Sequence, residues 1–167
     1  MANTFLDELV EYPVKALHCI GTDPTVAKLL TDNPDIDMES EEADNIFDRF
    51  LFDYIYVDGT TTETAAYICV EAETGGSPTP TMKNMKLYVT VICHKQFMKV
   101  EPTKFKGMIG NRRDNLVRYV DKLLNGSDIF GIGALKLENA HTVAAPTGFT
   151  ARELTYTVPD FNYKKVR

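Results

Sequence analysis

Cysteine is scarce in this chain: there are three among 167 residues, Cys19, Cys69 and Cys93, with no C-x-x-C pair. An odd set without paired spacing argues against a disulfide scaffold. Cys69 and Cys93 fall inside strand-like runs, where a free thiol behaves as a small apolar side chain, so a reducing compartment is expected. Long apolar runs are also lacking, since nothing approaches the roughly 20 residues of a membrane span. The opening MANTFLDELVEY carries acids where a signal peptide needs a basic n-region and an apolar core. The expectation is a protein made and kept in solution, with no membrane partner. Positive charge is short too, with 18 Lys and Arg against 24 Asp and Glu, a net charge of −6. An acidic surface disfavours non-specific binding to phosphate backbones, although net charge does not say where the charges sit. The acid excess serves solubility in any case.

What is present is ordinary for a globular domain, with 44% hydrophobic and 25% charged residues. The length predicts a single domain spanning 1–167, able to bury roughly 70% of its unfolded surface. Within it the reading divides into a mainly helical part at 1–53, a sheet with one helix (111–125) at 54–159, and a C-terminal tail at 160–167 outside the sheet.

Thr4 with Asp7 predicts a capped first helix, along which Phe5, Leu6, Leu9 and Val10, then Val14, Leu17 and His18, form an apolar stripe; Pro13 is expected to kink or restart it. Asp23-Pro24 predicts a second helix start, with Val26, Leu29 and Leu30 inward. Residues 32–44 read as a solvated acidic loop, without the glycine and ligand spacing of a calcium site. From there the period changes to that of strands. The run 47–57 ends in β-branched and aromatic residues before an Asp58-Gly59 turn. In 64–73, Ala66, Ile68 and Val70 share one face, and Tyr67, Cys69 and Glu71 the other. A Gly/Pro/Ser/Thr-rich hairpin or arm follows at 74–84.

The strongest strand is 85–97, apolar on both faces and so expected in mid-sheet. The clearest helix is 110–126: Asn111 caps, Asp114 meets the positive end of the dipole, and Leu116, Val117, Val120, Leu123 and Leu124 make one face. Asp114 and Arg118 are spaced to pair, and Gly126 ends the helix. Strands return at 129–140 and 151–159, around a turn at 145–148. Helices cluster first, strands follow, and one helix interrupts them. This order predicts an α+β fold: a mostly antiparallel β-sheet with N-terminal helices and one long helix packed on it.

Signs of chemistry are sparse. His18, His94 and His141 lie in different elements and share no metal-ligand spacing, so hydrogen-bonded structural roles are expected. Cys93 and His94 are neighbours on a strand and point to opposite faces, which denies the thiol its base. Gly131-Ile132-Gly133 lacks the strand–turn–helix context of a dinucleotide site and instead suits a bulge or a close backbone approach. Gly107 and Gly110 place free N–H groups at a helix start, which could hold an anion, but no Gly-Lys-Ser/Thr of a nucleotide site follows. Glu71 and Glu73 share a strand face but lack the nearby lysine that a metal nuclease uses. No catalytic residue, metal site or cofactor is expected.

With these elements placed, residues 45–162 resemble the neck or tail-terminator proteins of tailed phages and prophages. The resemblance rests on FLFDYIYVDGTTTETAAYICVEAE, KLYVTVICHKQFM, NRRDNLVRYVDKLLNG, FGIGALKLENA and RELTYTVPDFN in that order, with an Arg-Asp helix start between the strand groups. It implies a structural virion protein, not an enzyme, assembled in the host cytoplasm and placed at the head–tail junction. Subunits would form a hexameric ring that caps the tail tube, contacts the tube protein and docks to the connector or stopper. Genomic DNA would pass through without specific binding. On this reading Arg112, Arg113 and Asp114 serve a ring contact or a helix cap, the alternative being a solvated face with Asp114 only capping. Phe161 anchors on a neighbour or packs on its own sheet. Other readings are a head-side stopper or tube subunit and, from another class, a small nuclease.

Overall fold

The structure, a computed structural model, describes residues 6–161. Four helices come first: α1 (Asp7–Gly21), α2 (Pro24–Thr31) and two single turns, α3 (Glu41–Asp44) and α4 (Ile46–Arg49). Strands β1 (Leu51–Phe52), β2 (Ala66–Thr74) and β3 (Met82–His94) follow, then α5 (Arg112–Leu124), β4 (Lys136–Val143) and β5 (Phe149–Phe161). The five strands order as β1-β2-β3-β5-β4. All pairings are antiparallel except β1 with β2, so the fold is α+β with an open, mostly antiparallel sheet.

The long strand β3 lies in the centre, as its two apolar faces require. Met85, Leu87, Val89, Val91 and Cys93 all sit on one face and are buried. The register aligns them with Ala72, Val70, Ile68 and Ala66 of β2 and with Val158, Tyr156 and Leu154 of β5. The helices cover this face. Leu116, Val120 and Leu124 of α5 are fully buried, each contributing roughly 2 kcal/mol of burial. On the opposite face only one end is covered, where Tyr67, Ile92, Ala151 and Phe149 lie beneath a cluster of rings. Further along, Glu71, Glu73, Tyr88 and Glu153 line an open groove.

Several helix signals act as the sequence implies. Asp23 accepts hydrogen bonds from the amides of Thr25 and Val26, with Pro24 at the first helical position. Asn111 accepts from the Asp114 amide, and Gly126 takes φ +85° beyond the end of α5. The hairpin expected at 74–84 forms, its Gly75 amide donating to Asn84 O at 2.5 Å, and β3 already begins at Met82 within it.

Elsewhere the structure corrects the sequence reading. The helix α1 is continuous through Pro13, because the ring falls on the buried side and the turn is held by tertiary packing. Its inward face is Tyr12, Ala16 and Ile20; Leu6, Val10 and Val14 of the expected stripe face outward, and the Thr4 cap and Phe5 lie outside the described residues. The run 47–57 is not a strand beyond Leu51–Phe52, and residues 53–57 instead fold over the sheet. The acidic stretch 32–44 contains a helical turn capped by Ser40. Strand β4 begins at Lys136 rather than near 129, because Gly131 passes against β5: a Cβ there would lie 2.3 Å from Pro159 O. The C-terminal expectation is corrected as well. Asp160 and Phe161 belong to β5, paired with Lys83 and Met82, while 162–167 lie outside the described residues.

Candidate functional site

The residues singled out at the start of α5 do come together, but around the chain's own backbone. Arg112 is 2% exposed. Its guanidinium donates to Phe97 O at 2.9 Å, to Leu29 O at 2.5 Å and to an Asp32 carboxylate oxygen at 2.5 Å, and it stacks 3.9 Å over the Phe97 ring. Lys104 holds the other Asp32 oxygen at 2.5 Å. Burial works against the Asp32 carboxylate, yet the hydrogen bonds from Lys104 and Arg112 outweigh it and hold its pKa below the ordinary value. Asp32 itself ends α2 in the left-handed conformation, at φ 56°. The planar fork of Arg112 thus ties the end of α2 to the loop before α5, a geometry that suits arginine and not lysine.

Arg113 and Asp114 serve the other side of the same helix start. Arg113 is 8% exposed and donates to the Thr150 hydroxyl at 2.5 Å and to Asp114 at 3.0 Å. Asn111 donates its side-chain amide to Asp114 at 2.8 Å, and the Arg152 Nε lies 3.5 Å from the same carboxylate. Burial raises the Asp114 pKa, but the Asn111 and Arg113 contacts prevail and the net shift is downward. The expected Asp114–Arg118 pair does not form, because Arg113 and Arg152 occupy the carboxylate. A solvated face for the two arginines is excluded by their burial. Phe161, at the end of β5, is 49% exposed.

A second polar cluster escaped the sequence reading. Lys83 is fully buried and donates to Glu8 at 2.7 Å, while the Tyr12 hydroxyl donates to Asp160, the cross-strand partner of Lys83. Burial, then the Asp160 contact, pushes the Tyr12 pKa upward, so the phenol stays a donor. A signal was available: Lys83 has the parity of Met85, Leu87 and Val89, and Asp160 that of Val158 and Tyr156. No comparable signal marked Asp32, 80 residues from Arg112.

The other candidate groups remain dispersed. His94 accepts from the Gln96 amide and stacks edge-on against Phe149; His141 lies 3.9 Å from Glu153; His18 stacks on Phe47. Burial pushes the Cys69 thiol up to about 11 and the Cys93 thiol up to about 12. Such thiols are poor nucleophiles at neutral pH. Among the described residues, no group of three or more His, Cys, Asp and Glu is placed to hold a metal ion, and no helix is long and apolar enough to cross a membrane.

The surface carries two unlike apolar patches. On the helical side of the sheet, Leu6, Val10 and Val14 recur one turn apart along α1, with Val10 70% exposed. On the opposite side, Tyr54, Ile55 and Tyr56 stand at the rim of the ring cluster that covers Tyr67. One edge of the sheet is β4, mostly exposed and broken by a register shift between Leu137 and Asn139. A bulge and charged side chains are the ordinary protections of such an edge.

No curated protein matches the chain. A family model described as YomW, a name associated with phage genomes, matches residues 23–158, which are most of the sequence, and the chain belongs to the YomW family.

Proposed function

We propose that this phage-associated protein is a ring-forming tail terminator, a structural subunit that caps the tail tube at the neck and joins it to the head connector. The observation that carries this reading is the pair of unlike apolar patches on opposite sides of one sheet. A closed ring built head to tail needs two different, complementary surfaces on every subunit, and a two-fold dimer needs only one. Leu6, Val10 and Val14 supply one surface, and Tyr54, Ile55 and Tyr56 the other. Its buried ion pairs spend their charged groups on fixing helices to the sheet, which suits a stiff building block. Arg112, Arg113 and Asp114 then act indirectly, by setting the position of α5, while Phe161 is free to meet a neighbour. The family membership supports a phage setting, and the resemblance over 45–162 supplies the neck.

Assembly on tail tubes tests it. Purified protein added to polymerising tube protein fixes tube length, and native mass spectrometry of the capped ends gives a closed ring. Val10→Asp and Ile55→Asp each block the ring, yet an equimolar mixture of the two variants yields dimers, since one intact interface remains between them. A ring that survives both substitutions, or virions with this chain located away from the head–tail junction, overturns the reading.

A further inference from the structure

In a chain with six more acids than bases, one recess is basic. Thr25 and Lys28 of α2, Lys104, Lys106 and Gly107 of the loop before α5, and Tyr119 of α5 surround a cavity of about 270 Å³. Lys28 is half-buried, Lys104 and Lys106 are exposed, and Lys28 and Lys106 take part in no ion pair among the described residues. Asp32, the carboxylate paired with Lys104, is already shared with Arg112. One oxygen is held by Arg112 and the other by Lys104. The lining itself carries three lysines, Lys28, Lys104 and Lys106, and no carboxylate. Arg118 adds a fourth positive charge nearby, its guanidinium 5.1 Å over the Tyr119 ring.

Ammonium groups gathered without carboxylates repel one another, and a bound anion offsets that repulsion. The recess offers what an oxyanion takes: several cationic donors from two separate elements, a hydroxyl from Thr25 and a phenol from Tyr119. We propose that it binds a phosphate group, carried by a nucleic-acid backbone or by a small phosphate compound. This inference does not depend on ring formation, and it is tested on the monomer.

The test uses the full chain with two probes, a short fluorescein-labelled DNA duplex followed by anisotropy at low salt and sodium pyrophosphate followed by calorimetry. For the duplex, three lysines that neutralise phosphates give a slope of log K against log salt of about −2.7, and each lysine removed reduces its magnitude by about 0.9. Lys28→Gln and Lys106→Gln therefore flatten the slope one step each and weaken pyrophosphate binding. Lys136→Gln, on the distant edge strand, changes neither. Unchanged circular dichroism keeps the variants comparable. Binding of both probes, with mutual competition, or of pyrophosphate alone supports a phosphate site, and the second outcome assigns the phosphate to a small ligand. Failure of both probes to bind, or binding indifferent to Lys28 and Lys106, overturns the proposal.

Discussion

Replacing Arg112 with methionine keeps the length and much of the packing of the side chain while removing its five donors. Three main-chain carbonyls lose a partner: Leu29 O, Phe97 O and, at 3.3 Å, Lys99 O. An unsatisfied buried acceptor costs about 1–3 kcal/mol, and the first two carbonyls have the closest contacts. Asp32 is 35% exposed at its side chain and keeps Lys104, so solvent screening limits its share to less than about 1 kcal/mol. Methionine restores part of the stacking on Phe97. The sum is a loss of about 4 kcal/mol, a large part of the ~5–15 kcal/mol that domains possess. Urea titration followed by far-ultraviolet circular dichroism reads it as a lower midpoint at unchanged slope, with a fall in Tm of roughly 8–16 °C. Arg112→Lys retains the charge but cannot reach three acceptors in different directions, so more than half of the loss persists. The pH profile adds a signature. The folded pKa of Asp32 lies below 3.8, so its contribution is complete above that value and disappears as pH falls through the folded value. Arg112→Met loses part of that contribution beforehand, and its stability declines less steeply in acid. A loss below about 1 kcal/mol, or a lysine variant as stable as the parent, would refute the clamp.

Glu8→Ala removes the carboxylate to which the fully buried Lys83 donates at 2.7 Å, and a destabilisation of about 1–3 kcal/mol is expected in the same urea assay. Gly131→Ala forces a methyl group against Pro159 O and lowers stability by about 2 kcal/mol or more, whereas Gly59→Ala, with nothing within 4 Å of the new atom, leaves the midpoint unchanged. Titration of native protein with a chromogenic disulfide near neutral pH modifies at most Cys19, and Cys69 and Cys93 react only after denaturation.

The elements legible in the sequence are those in which local and tertiary preferences agree. Asp23-Pro24 and Asn111 begin helices because capping is decided within four residues, and β3 announces its central place through two apolar faces. Leu6, Val10 and Val14 misled because apolar spacing cannot distinguish a face turned to the core from one turned outward. The ring-rich run 53–57 has strand-forming residues but leaves the edge of β2 after Phe52, and its aromatics pack over Tyr67 instead. The burial of Arg112 depends on Asp32, Leu29 and Phe97, none close in sequence, and no periodic pattern encodes that convergence. Lys83 was legible by parity, yet a charged side chain in an alternating strand reads naturally as the wet face.

The parallel pairing of β1 with β2 makes the first fifty residues inseparable from the rest. Glu8, Tyr12, Leu29, Asp32 and Arg49 all reach partners that lie beyond residue 62. Neither portion owns a complete interior, so a nick in the exposed stretch 53–56 would leave two pieces that stay docked and, once parted, reconstitute only in each other's presence.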